Sequence, residues 1–156
     1  MQAYSYESLS IEAHVSGIDI VEKTLRGRNR GLYGNGLILI DKRLSTIIEK
    51  ACILAEELGH HHTSSGNILD QQDIRNRKQE LLARQWAYHC MIPLDRIVQA
   101  HHARITGRYD LAEYLGVTEE FLQGAVDRFT AKYGLSVRAD ERHEVFFDPL
   151  GVIEVV

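Results

Sequence analysis

A chain of 156 residues with 44% hydrophobic and 26% charged side chains suits one compact globular domain with one principal core. Its formal net charge of −4 argues against nucleic acid as a partner, because phosphate-neutralising basic faces supply most of a nucleic-acid binder's affinity. No apolar run nears the roughly 20 residues of a membrane span, the opening MQAYSYESLSIEAHVSG has no basic or apolar limb of a secretory signal, and Cys52 and Cys90 lack partner-like spacing; the expectation is a cytoplasmic protein with reduced thiols and no membrane contact.

Along the chain, residues 4–16 carry a weak helical stripe of Tyr6, Leu9 and Ala13. Gly17 interrupts it, and Ile18-Asp19-Ile20-Val21 reads as a short strand. Arg26-Gly27-Arg28-Asn29-Arg30 reads as a solvated loop. Two β-prone runs then flank Gly34-Asn35-Gly36, residues suited to the positive φ angles of a tight turn, so 31–41 reads as a hairpin. From Ser45 to about His61 the apolar residues Ile47, Ile48, Ala51, Cys52, Ala55 and Leu58 recur at helical spacing and mark one buried face. Thr63-Ser64-Ser65-Gly66-Asn67 ends that helix. A second long helix runs from about 73 to 91, through Leu81, Leu82, Trp86 and Ala87, and stops before Pro93.

Shorter helices are expected over 94–102, 108–115 and 118–133, and Phe146-Phe147 and 152–156 form a final strand or extended tail. There is no repeat, low-complexity tract or linker. Residues 1–156 therefore read as one domain: a core over 31–93, a helical support over 94–135 and a C-terminal strand or tail over 136–156. The fold class is α+β, a small antiparallel sheet including 31–40 packed on the 45–61 helix, with further helices enclosing it.

The chemistry gathers on the 45–61 helix. Glu56 and His60 are four residues apart, so their side chains leave one face about a turn apart and can hold one metal ion. Glu57, between them, is turned towards a water on that metal, as in the His-Glu-x-x-His metalloprotease motif. Alone, Glu-Glu-x-x-His is a weak signal, since acidic pairs on helices are usually solvated. Gly59 strengthens it, because a mid-helix glycine costs about 1 kcal/mol relative to Ala and needs a reason such as close packing or room beside a site. Glu80 stands on the same face of the second helix as Ala83, Arg84 and Ala87, and the small alanines there would let the two helices approach closely, with Glu80 reaching across. The hairpin offers an edge strand on which an extended substrate can lie.

As an ordered set, Cys52-Ile53-Leu54-Ala55-Glu56-Glu57-Leu58-Gly59-His60, then Glu80-x-x-Ala83-x-x-Trp86-Ala87 and Met91-Ile92-Pro93, resembles the ImmA/IrrE family of zincin-like metallopeptidases. It looks closest to the branch of prophages and integrative elements of Gram-positive bacteria. Leu111-Ala112-Glu113-Tyr114-Leu115-Gly116-Val117-Thr118 also resembles a later family segment, and the likeness runs from about 31 to 135. The resemblance implies a zincin-like fold and a metal-dependent endopeptidase of narrow specificity. Its partner would be a helix-turn-helix transcriptional repressor of a mobile element or stress response, which it cleaves or inactivates.

Carried over by position, the resemblance makes His60 a metal ligand, Glu57 the general base and Glu80 the third ligand. Glu56 stands where the family's usual form has its first histidine. Glutamate ligates zinc at about 2.0–2.2 Å, so the set remains four-coordinate with one water. Two carboxylates offset the dication's formal charge and leave that water less acidic than in a three-histidine site, which shifts work to Glu57. Zinc is the expected ion, and a carboxylate-rich set also suits manganese or another divalent ion. The replaced first ligand supports an alternative, a catalytically impaired module that regulates the repressor by binding.

Other residues carry weaker signals. A helix cannot aim three consecutive side chains at one ion, so His61 and His62 read as exposed or supporting, with His61 the possible substitute ligand. His89 reads as structural and His101-His102 as a surface pair. Tyr33 and Tyr88 are candidates to stabilise an oxyanion, yet each is more often a core or rim aromatic. Residues 108–133 have helix-turn-helix rhythm with Thr118 as N-cap. However, residues 104–134 hold four Lys/Arg against five Asp/Glu, and the second helix opens with Glu119-Glu120, so this is a support or docking face and not a DNA reader.

Overall fold

The computed structural model describes residues 4–63 and 73–156, so the expected breakers at 64–67 lie outside the described residues. Ser5 starts α1 (Tyr6–Val15): its hydroxyl accepts from the Ser8 N–H at 3.2 Å, while the Ser8 hydroxyl accepts from the Ser5 N–H at 2.7 Å. α1 buries Leu9 and Ala13. Gly17, at φ 78°, then turns the chain into β1 (Asp19–Lys23).

β2 (Gly31–Gly34) and β3 (Leu37–Asp41) form the expected antiparallel hairpin, with Tyr33 opposite Ile38. Asn35 and Gly36, at φ 51° and 72°, are its two turn residues, and paired positive φ angles match the twist of the flanking strands. β3 is central, and β1 joins its other side in parallel, Asp19 opposite Leu37. The sheet is therefore mixed. Alternation in a sequence marks β1 as a strand without giving its direction, which follows from the 24–30 crossing to the far edge. Buried Asp41 fastens that crossing: it accepts from the Arg43 N–H at 2.9 Å, and Arg43 Nη2 donates to the Leu25 carbonyl at 2.8 Å.

α2 (Ile47–Thr63) runs through the middle of the core. From Ala51 to His60 every residue except Glu56 is buried. The sequence pattern shows one apolar face, whereas the first sheet, α1 and α3 (Asp73–Met91) cover this stretch on several sides. Gly59 is where α3 crosses most closely, since a Cβ there would run into the backbone carbonyl of Ala83. Ala83 and Ala87 are fully buried at the same seam.

Pro93 precedes α4 (Leu94–His102), and Gly116, at φ 73°, ends α5 (Arg108–Leu115). Thr118 caps α6 (Glu119–Tyr133) by accepting from the Phe121 N–H at 3.1 Å. The helix-turn-helix rhythm is used internally, because Leu115, Val117, Phe121 and Leu122 are all buried in the core. Residues 136–156 hold more than the expected single strand or tail. β4 (Ser136–Arg138), β5 (His143–Phe147) and β6 (Leu150–Glu154) form an antiparallel sheet. Phe146-Phe147 marks its centre, but β4 is three residues long and Gly151 interrupts β6, so neither flank alternates cleanly. Phe147 packs on Phe129 of α6, ring centroids 5.9 Å apart. No helix among the described residues is long and apolar enough to cross a membrane.

Candidate metal centre

α2, α3 and β2 meet at a pocket of about 650 Å³ walled by Glu56, Glu57, Glu80, Arg84, Tyr88 and Gly31. His60 is not one of the wall residues; its side chain is 10% exposed, and it touches the pocket through the half-exposed wall residue Glu80, whose Oε1 lies 3.2 Å from His60 Nε2. The seam between Gly59 and Ala83 makes this contact possible, because it draws α3 close enough for Glu80 to reach α2. A larger cavity, about 890 Å³, lies between α4, α5, α6 and the β5–β6 hairpin, and it contains none of these groups. Donor chemistry, not size, selects the smaller one.

Burial raises the Glu57 pKa to about 7, opposed by His60 and reinforced by Glu56 and Glu80. Glu56 is raised as well, chiefly by burial, with Arg84 opposing. Burial alone would lower the His60 pKa, but its hydrogen bond with Glu80 and the charges of Glu57, Glu80 and Glu56 reverse the sign, so the net shift is upward. The same hydrogen bond holds Glu80 below its usual range. Among the described side chains no Lys or Arg comes within 4.0 Å of these three carboxylates, and Arg30 is directed to Glu49 at 3.8 Å and Glu120 at 4.0 Å.

Carboxylate and imidazole are the donor types of a divalent-cation site. Three carboxylates line the pocket, the His60 imidazole meets one of them, Glu80, and Nδ1 of His60 is buried without a hydrogen-bond partner among the described residues. The geometry joins His60 to Glu80 and keeps Glu57 beside them. Glu56 lines the same pocket, but the set Glu56, His60 and Glu80 is looser than 4.8 Å between all ligand atoms.

The three consecutive histidines go to three environments, as about 100° of rotation per residue requires. His60 faces Glu80, and Nδ1 of His61 lies 2.8 Å from the Tyr33 hydroxyl. His62 stacks on Trp86 at 4.7 Å and stands 3.5 Å from Glu12. His61, the possible substitute ligand, is thus engaged with β2. Tyr88 packs on Phe121 at 5.0 Å and presses its hydroxyl towards Gly124, where a Cβ would collide with it. His89 lies away from the pocket, 3.3 Å from Lys132 Nζ.

Gly31 is the site residue that the sequence reading did not single out. A Cβ there would stand 2.6 Å from Ile53 Cγ2 and 2.9 Å from Glu57 Oε1, so the absent side chain makes room for the carboxylate beneath β2. A glycine at the mouth of a strand leading to the helix was the available signal. Both cysteines are free, and burial pushes Cys52 up to about 11 and Cys90 up to about 12, which leaves them as thiols.

No curated protein sequence matches the chain. One family model does, Peptidase_M78, described as the IrrE N-terminal-like domain, and it covers residues 13–126, well over half of the length. That span includes Gly31, Glu56, Glu57, His60 and Glu80 and starts before the likeness seen in the motifs, taking in the end of α1 and all of β1. The chain belongs to the IrrE N-terminal-like family of peptidases.

Proposed function

We propose that the chain is a metal-dependent endopeptidase in which His60, Glu80 and Glu56 hold one divalent cation and Glu57 is the general base. Zinc is the first choice of ion and manganese the second. The observation that carries the reading is the 3.2 Å contact of His60 with Glu80 beside a buried Glu57 whose pKa stands at about 7. When bound, the cation would polarise the scissile carbonyl and acidify a water beside it.

The chain's own residues do the rest. Glu57 accepts a proton from water and delivers it to the leaving amine nitrogen, and a pKa near 7 is matched to both transfers. β2 is the edge of its sheet, so its outer backbone groups can pair with an extended segment of substrate as an added strand. Gly31 keeps the passage from that edge to Glu57 clear. The proposed substrate is a helix-turn-helix transcriptional repressor, cleaved or inactivated in the cytoplasm to release a mobile element or stress response.

One feature favours a second reading, in which the module regulates the repressor by binding without cleavage. Glu56 replaces the first histidine, and its set with His60 and Glu80 is loose. Protein purified with neither added metal nor chelator separates the two when metal content and repressor cleavage are measured together. Glu57→Gln should keep its metal and lose cleavage, whereas His60→Ala should lose both. Should Glu57→Gln relieve repression as fully as wild type with the repressor intact, binding is the mechanism.

A further inference from the structure

We propose that His102, His143 and Glu154 form a second divalent-metal site, distinct from the His60 pocket and built on the C-terminal sheet. The three residues come from three elements: His102 ends α4, His143 starts β5 and Glu154 ends β6. Their ligand atoms, one from each residue, all lie within 4.8 Å of one another. The strand register holds two of them together, because His143 and Glu154 are directly opposed across the β5–β6 pair.

The imidazoles are arranged for ligation. Nδ1 of His143 lies 2.8 and 2.9 Å from the two oxygens of Asp140, so its N–H is donated there and the lone pair of the neutral ring falls on Nε2. That Nε2 faces Nε2 of His102 at 3.0 Å. Two nitrogens each bound at about 2.0–2.1 Å around a tetrahedral ion stand roughly 3.3 Å apart, so little movement is needed to admit one. A carboxylate on the far nitrogen of a ligating histidine is the usual outer support of such a site, and Asp140 is the positioning residue here.

Glu154 Oε1 lies 3.9 Å from His102 Nδ1 and 3.6 Å from His101 Nε2, so it can swing towards the pair of imidazoles. The side chains of His102 and Glu154 are more than half exposed, which leaves a fourth position for water. Two imidazoles and one carboxylate select zinc, nickel or copper over magnesium or calcium. Bound there, the ion clips the end of α4 to both strands. Without it, the contact is one exposed N–H···N hydrogen bond between two histidines.

The test uses tag-free full-length protein stripped of metal and dialysed against micromolar zinc, with bound zinc counted per chain. Wild type is expected to hold two equivalents, and His102→Ala and His143→Ala in an otherwise unchanged chain one each. Asp140→Asn keeps all three ligands but should weaken the second equivalent about ten- to hundredfold. In a His60→Ala background, zinc should raise the melting temperature, and adding His143→Ala should abolish that rise. If the His60 pocket binds no metal, wild type and His60→Ala both hold one equivalent, and His143→Ala still removes it. Undiminished zinc in both His102→Ala and His143→Ala overturns the second site, whatever happens at the first.

Discussion

The His60 pocket and the His102–His143–Glu154 cluster use the same donor types in opposite settings. In the pocket, α2 is covered on several sides and Glu57 and His60 are taken largely out of water, so Glu57 rises to about 7, while three carboxylates draw His60 upward. At the C-terminal sheet, two of the three donors remain exposed, and the geometry comes from strand register and a helix end. Identical side chains therefore serve different ends. Burial makes a group reactive, while exposure leaves a ligand that can only hold.

The largest expected effect lies in the pocket. Glu57→Gln should lower cleavage about 10²–10⁴-fold, the usual worth of general-base catalysis, as read from the rate of repressor shortening. The same change should stabilise the metal-free protein at high pH. The folded pKa of Glu57 lies above its unfolded value, so its contribution is full below about 4.5 and is lost as pH rises through about 7. Melting curves of metal-free wild type and Glu57→Gln should thus converge near pH 4.5 and separate by pH 8, with the variant higher. Parallel curves would mean that Glu57 is not desolvated, and the contrast between the two regions would fail.

Packing offers a second contrast. Gly59→Ala forces a methyl group against the Ala83 backbone, which cannot move aside as a side chain would. The helix propensity gained is about 1 kcal/mol, and overpacking typically costs about 1–3 kcal/mol. A net loss is expected in urea unfolding, together with weaker metal binding as Glu80 is pushed from His60. Gly151→Ala in β6 meets nothing within 4 Å and has an ordinary backbone angle, so its effect should stay within about 0.5 kcal/mol. Equal losses at the two glycines would show that the α2–α3 seam is no tighter than the surface sheet.

The same division explains what could be read from the sequence. The hairpin and the long helices were legible because Asn35-Gly36 and the apolar spacing are local signals, whereas the mid-helix Gly59 marked a special position and the fold decided between close packing and room beside a site. The approach of Glu80 to His60 was also anticipated, from small residues at Ala83 and Ala87. Pairings between distant segments were not: β1 lies parallel to β3, and β4 and β6 flank β5 with little alternation of their own. His101-His102 read as a surface pair because His143 and Glu154 are brought to His102 only by the fold of the C-terminal sheet. Gly31 was missed because the need for an absent side chain is visible only once Ile53 and Glu57 lie beneath it.

The smallest expected effect tests where the pocket ends. Tyr33 touches His61 by a 2.8 Å hydrogen bond and an edge-on ring contact at 5.5 Å, both on the side of α2 that faces β2. Tyr33→Phe removes the hydrogen bond and keeps the ring, so the stability loss should be about 0.5–1.5 kcal/mol, the net worth of one such bond. His61 would then be free of its partner while His60 and Glu80 kept their contact. If Tyr33 only anchors β2, cleavage by the variant should stay within about threefold of wild type, because that is less than 1 kcal/mol of transition-state free energy. A fall beyond about a hundredfold, the scale of a lost oxyanion donor, would instead place the Tyr33 hydroxyl on the reacting carbonyl. The reactive region would then extend from the buried donors of α2 to the aromatic rim of β2.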